Sequence, residues 1–186
     1  MAKHVCPYWV GWLLISPLRK FAQNPERILS PYVREGMTIL EVGPGMGFFS
    51  LPLARLVGPA GRVVCVDLQE RMITALRRRA ERAELIERMD LRVGTDESLC
   101  LNDEAGTVDF ALVFAVAHEV GDLPRFFSEI HTTLKPGGVL FLAEPKGHVG
   151  AAAFEKTVGT ALERGFAELS RPAIRRSRGA LLKKNL

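Results

Sequence analysis

From Met37 to Glu144 the sequence alternates apolar, strand-like runs with segments of helical periodicity, and few folds accommodate that pattern. Runs such as Val63-Val64-Cys65-Val66 and Val108-Asp109-Phe110-Ala111-Leu112-Val113-Phe114 are apolar at successive positions, so both faces of each strand need cover. A parallel sheet with helices on both faces supplies it. Strands are expected at about 37–42, 62–66, 88–94, 108–114 and 139–144, with helices at about 47–57, 69–83, 123–134 and 151–164. The second of these helices sets Met72, Leu76 and Ala80 against a charged opposite face. A short helix or turn is expected near 97–103, and Lys135-Pro136-Gly137-Gly138 stops the helix before the fifth strand. Two further short strands fit Phe166–Arg171 and Ser177–Lys184.

The first strand, Ile39-Leu40-Glu41-Val42, runs directly into Gly43-Pro44-Gly45-Met46-Gly47 and then into a helix-like segment. Glycines lack Cβ, so they permit a tight strand-to-helix turn and let a ligand lie against the backbone, where N–H groups at the helix start are expected to meet it. The spacing selects among ligands. A dinucleotide fingerprint of G-x-G-x-x-G form would require glycine at 48, where Phe48 stands. Asp67 follows twenty residues after Gly47, at the carboxyl end of the second strand, where open α/β sheets place their ligand crevice. Its carboxylate could accept from both hydroxyls of a ribose, or it could cap the helix that follows Gln69.

The pattern Glu41-x-Gly43-x-Gly45-x-Gly47 resembles motif I of the class I S-adenosylmethionine-dependent methyltransferases. The resemblance extends over about 37–184 through Asp67, the strand-four run ending in Phe114-Ala115, and Leu134-Lys135-Pro136-Gly137-Gly138-Val139-Leu140. It implies a three-layer, Rossmann-like fold with a mostly parallel seven-stranded sheet of order 3-2-1-4-5-7-6, strand 7 antiparallel, plus an N-terminal helical extension. It also implies S-adenosylmethionine as methyl donor. By the same resemblance, Glu41, Gly43, Gly45 and Gly47 would surround the methionine part, although Glu41 could equally anchor the turn. Asp67 would take the ribose, and Leu68 would flank the adenine together with Phe114. The adenine-edge acid common in the family falls at Thr95, so that contact passes to Asp96.

Methyl transfer needs a base only when the acceptor carries a proton. His118 and Glu119, after strand four, are the catalytic candidates, and ordering of the loop is an equal alternative for both. Strand four continues as Ala115-Val116-Ala117-His118, without the Pro-Pro-aromatic motif of DNA amino-methyltransferases. It resembles the small-molecule branch that includes the quinone-biosynthesis enzymes. A non-catalytic binding module and a nicotinamide-dependent oxidoreductase are the alternatives.

Composition narrows the setting. The 186 residues suit one domain, with residues 1–35 as an N-terminal extension and 36–186 as the α/β core. Hydrophobic residues at 47% and charged residues at 25% exclude a disordered chain and a membrane bundle. The net charge of +4 gathers in Arg77–Arg79 and in the stretch from Arg175 to Lys184, with no interleaved aromatics, so a solvated surface is expected rather than a nucleic-acid partner. Cys6, Cys65 and Cys100 form no metal-ligand spacing, so no metal is expected, and reduced thiols point to a cytoplasmic setting. The apolar run Tyr8–Ile15 is too short to span a bilayer and lacks a small-residue cleavage site. It is expected to fold as an amphipathic segment, either a lid over the acceptor pocket or a packing surface, joined to strand one by a helix from Asn24-Pro25-Glu26 to about Val33. The acceptor is expected to be a small molecule, and the protein a monomer or homodimer.

Overall fold

The computed structural model describes residues 23–185. Seven strands, β1 (Thr38–Val42), β2 (Arg62–Asp67), β3 (Met89–Val93), β4 (Val108–Phe114), β5 (Leu134–Pro145), β6 (Phe166–Ser170) and β7 (Ser177–Lys184), form one sheet of order β3-β2-β1-β4-β5-β7-β6. The pairings from β3 through β5 are parallel, and β7 is antiparallel to both of its neighbours, as the sequence resemblance implied. Among the described residues five α-helices accompany the sheet: α1 (Pro25–Leu29), α2 (Ser50–Leu56), α3 (Glu70–Arg82), α4 (Leu123–Thr133) and α5 (Ala151–Glu163).

Period-two alternation along each strand divides the core into two halves. Leu40, Val64, Ala111, Val113, Leu140 and Leu142 face Phe127 and Ile130 of α4 and Phe154 and Val158 of α5. Ile39, Val63, Cys65, Phe110, Leu112 and Phe141 face Leu53 and Ala54 of α2 and Leu76 and Ala80 of α3. Burial on both sides is why these strands read as continuous apolar runs.

Three boundaries differ from expectation, each for a local reason. The helix expected from residue 47 begins at Ser50, because Gly47 has φ +88 and cannot join a right-handed helix. The segment expected to be helical to Val33 is α1 alone. Pro31 has no N–H to offer the Arg27 carbonyl, and the chain continues as turns through Tyr32 and Val33. Lys135–Gly138 lies within β5 as an irregularity of the ladder, since Val108 pairs with Leu134 while Phe110 pairs with Val139. Gly137, at φ +75, allows the extra residues to bulge out. Residues 1–22, on which the expected lid falls, lie outside the described residues. Among the described residues no helix is long and apolar enough to cross a membrane.

Candidate functional site

A cavity of about 370 Å³ opens at the carboxyl ends of β1, β2 and β4, within the size range of small-ligand sites. Its floor is the glycine turn after β1. Gly43, Gly45 and Gly47 all have positive φ, at +69, +54 and +88. A Cβ on Gly43 would collide with Val116 in the loop after β4, and one on Gly47 would collide with Leu76 of α3, whereas one on Gly45 would meet nothing within 4 Å. The first and third glycines therefore serve close packing, and the second leaves the backbone bare toward the cavity. Gly43 and Gly45 line the cavity, and Gly47 does not.

The amides of the turn are engaged inside the protein. Gly43 N–H donates to the Val66 carbonyl at 2.8 Å, Gly47 N–H to the Pro44 carbonyl at 3.0 Å, and Gly45 N–H to Asp67 Oδ2 at 3.1 Å. The turn thus offers close approach, and its glycine donors are already used within the protein. Asp67 Oδ1 also accepts from Gln69 N–H at 2.9 Å. The carboxylate ties the β1 turn to Gln69, the residue before α3, but it does not cap that helix, whose first turn has no side-chain cap bond. Asp67 also lines the cavity. Burial raises the Asp67 pKa, and the backbone N–H groups of Gln69 and Gly45 partly offset that shift.

Glu41, 3% exposed, reaches the cavity from the last turn of β1. Burial pushes its pKa up to about 7, moderated by the Ser50 hydroxyl and the Cys65 thiol and reinforced by the charge of Asp67. Cys65 Sγ donates to Glu41 Oε2 at 3.8 Å. Among the described residues no basic side chain pairs with Glu41. The charge of the lining extends this pattern: Glu41, Asp67, Asp96, Glu97, Glu119, Asp122 and Glu129 face the cavity, against Arg125 as its basic residue. Such a site favours a cation and disfavours phosphate.

Apolar surface completes the walls. Leu68 is 39% exposed and lines the cavity beside Met72 and Leu99. Phe114, at the end of β4, lies 4.5 Å from Phe49 between ring centroids, and Phe49 meets Phe48 edge-on. Ala115 follows at φ +61, a left-handed conformation costly for a residue with Cβ, pinned by its N–H bond to the Ala143 carbonyl. Thr95 and Asp96 also line the cavity, but Thr95 Oγ1 accepts from Ser98 N–H at 3.0 Å and so organises the loop. Glu129 of α4 holds that loop from across the cavity, its Oε2 accepting from Leu99 N–H at 2.6 Å.

The catalytic candidates part company. Glu119 lines the cavity; His118 stands behind it, its Nε2 3.9 Å from Glu119 Oε1 and its Nδ1 2.6 Å from Oε2 of the buried Glu144. Among the described residues no group of His, Cys, Asp and Glu is arranged to hold a metal ion.

A family model described as a methyltransferase domain matches residues 40–142. The chain belongs to the class I S-adenosylmethionine-dependent methyltransferases. Among solved structures, an S-adenosylmethionine-dependent methyltransferase from Aquifex aeolicus aligns with TM-score 0.86 and 24% identity over 96% of this chain and 99% of its own. A [4+2]-cyclase aligns with TM-score 0.75 and 16% identity over 88% and 81%. Fold alone therefore does not fix the chemistry. A curated relative, the ubiquinone biosynthesis O-methyltransferase of Methylocella silvestris, is 36% identical over 119 residues, which are 64% of this chain and 44% of that protein. The chain spans less than half the length of the curated relatives it matches.

Sequence reasoning passed over Glu129, Glu144 and the aromatic wall of Phe48, Phe49 and Phe126. Each comes from an element remote in sequence from the glycine turn or from residues that read as ordinary core. The signal that was available for Glu144 is its place at the carboxyl end of a central parallel strand.

Proposed function

We propose that the protein uses S-adenosylmethionine to methylate a small-molecule acceptor. The observation that carries the proposal is the charge of the cavity, in which buried Glu41 has no basic partner among the described residues and the turn's glycine amides are not open to a phosphate. When bound, S-adenosylmethionine supplies an electrophilic methyl group on a cationic sulfonium. Glu41 would hold the ammonium of its methionine part, Asp67 the ribose hydroxyls, and Leu68 with the loop from Thr95 to Leu99 the adenine. An ammonium beside Glu41 lowers that carboxyl's pKa again, so binding releases a proton near neutral pH. Phe49 and Phe114 keep water from the reacting end, and the bare backbone at Gly45 admits the ligand closely. The loops after β4 and β5 would hold the acceptor in line for attack, which is the main contribution such a protein makes. The quinone-biosynthesis names of the relatives support a small molecule in this role.

Calorimetry with S-adenosylhomocysteine tests the donor site. Binding is expected, and Asp67→Ala should weaken it by about ten- to a hundredfold, from loss of hydrogen bonds to a charged acceptor worth about 1.5–3 kcal/mol each. Tight NAD(P)H binding with no response to S-adenosylhomocysteine would overturn the proposal.

A further inference from the structure

Where the loops after β4 and β5 meet, a second acid is buried that the donor site does not use. Glu144, at the carboxyl end of β5, is 1% exposed. Its Oε1 accepts from the His118 backbone N–H at 3.2 Å, and its Oε2 lies 2.6 Å from His118 Nδ1. Two contacts from one carboxylate to one residue fix both the position of the imidazole and its rotation. With Nδ1–H donating to Glu144, Nε2 becomes the free nitrogen, and it faces Glu119 Oε1 at 3.9 Å. Glu119 in turn forms part of the cavity wall.

Among the described residues, these titratable and charged groups surround His118. Glu144 faces it from β5, Glu119 from its own turn, and His148 from the loop after β5, edge-on with ring centroids 6.0 Å apart. Arg178, the register partner of Glu144 on β7, turns its guanidinium to the Val149 carbonyl. The Glu144 hydrogen bond raises the His118 pKa above its ordinary value. A loop-ordering contact alone would not require that the imidazole's free nitrogen face a second carboxylate at the cavity.

We propose that Glu144 is a positioning residue that holds His118 behind Glu119, and that the three form a proton path for an acceptor of phenol type. This rests on the donor reading above. The acceptor's O–H bond breaks with its electron pair remaining on oxygen, the proton passes to the Glu119 carboxylate, and it moves on to His118 Nε2 when the two side chains close the 3.9 Å between them in the loaded complex. Nδ1 keeps its own proton, donated to Glu144. His118, whose side chain is 26% exposed, then releases the proton to solvent. A phenol, with an ordinary pKa near 10, lies within reach of an imidazole raised above its usual value, whereas an aliphatic alcohol does not. Phe48, Phe49, Phe114 and Phe126 in the cavity wall suit an aromatic ring.

The test uses the full chain saturated with S-adenosylhomocysteine, 4-methylphenol as probe, and the His118 ring nitrogens followed by NMR. Glu144→Gln should lower the His118 midpoint by about one pH unit while leaving S-adenosylhomocysteine affinity within about threefold. Affinity for 4-methylphenol should rise with pH through the His118 midpoint, and in Glu144→Gln that rise should move down with it. Glu119→Gln should weaken the probe about tenfold. The proposal is overturned if 4-methylphenol does not bind, or if its affinity is independent of Glu119 or insensitive to the His118 midpoint. A midpoint unchanged in folded Glu144→Gln overturns the positioning role. If the wild-type protein fails to bind S-adenosylhomocysteine at all, the donor reading falls first and this proposal with it.

Discussion

The two halves of the cavity are built on different principles. In the half under β1 and β2, the lining comes from two short stretches, 41–49 and 66–72, and Asp67 ties them together by holding both Gly45 and Gln69. In the half under β4 and β5, partners are far apart in sequence. His118 is held by Glu144, and Leu99 by Glu129. The first half is a preformed cradle whose shape is set by backbone conformation. The second is an assembly of side chains whose positions depend on how the sheet and α4 pack. A ligand held by the first half can therefore remain common to many proteins while the second half changes what is done with it.

The sharpest way to break this contrast is at Gly43. An added methyl group there meets both a left-handed φ and the Val116 side chain. Gly43→Ala should cost about 2–5 kcal/mol, the sum of an αL penalty and overpacking. Gly45→Ala, with open space around it, should cost only about 1–2 kcal/mol. Thermal denaturation of the two variants checks the difference. Equal losses would show that crowding against the β4 loop is not what shapes the cradle.

Glu41 sharpens the contrast through pH. Its folded pKa of about 7 lies above the ordinary 4.5, so between those values the folded state holds a proton that the unfolded chain releases. Stability from this group is therefore fully present below about pH 4.5 and is lost as pH rises to about 7, by about 3 kcal/mol. Glu41→Gln, which carries no charge to desolvate, should be more stable than the parent at pH 8 by up to that amount and similar at pH 4. It should also bind S-adenosylhomocysteine more weakly. Denaturant titrations at the two pH values measure the first effect. A stability gap that does not change with pH would show that Glu41 is compensated in the folded protein.

The smallest expected effect belongs to the second half. Glu129→Ala removes the acceptor for Leu99 N–H from a side chain about a quarter exposed, and should cost about 1 kcal/mol of binding while leaving global stability nearly unchanged. Calorimetry checks it, and a large loss of stability would mean that the 95–99 loop is part of the core.

The same division explains what the sequence could disclose. The strand order, the antiparallel β7 and the glycine turn were legible because each leaves a local trace: a continuous apolar run, a spaced set of glycines, or a family signature. The place of Asp67 at the cavity was legible for the same reason, although its service to Gly45 was not, since that requires knowing how two turns face each other. Gly47 read as ligand-facing, yet it faces Leu76, because a glycine required by helix packing looks in sequence like one required by a ligand. Glu144 and Glu129 left no trace. A lone acid at a strand end or on a helix acquires its partner only when elements 26 or 30 residues apart come together.

The insertion of β7 between β5 and β6 bears on how the molecule is made. On a ribosome, β5 emerges with Leu140-Phe141-Leu142-Ala143 forming an open sheet edge, and β6 follows with no neighbour to pair with. Neither can be completed until residues 177–184 have been synthesised. The growing chain thus carries an apolar edge through the production of some thirty residues, the kind of surface on which nascent chains associate and chaperones act.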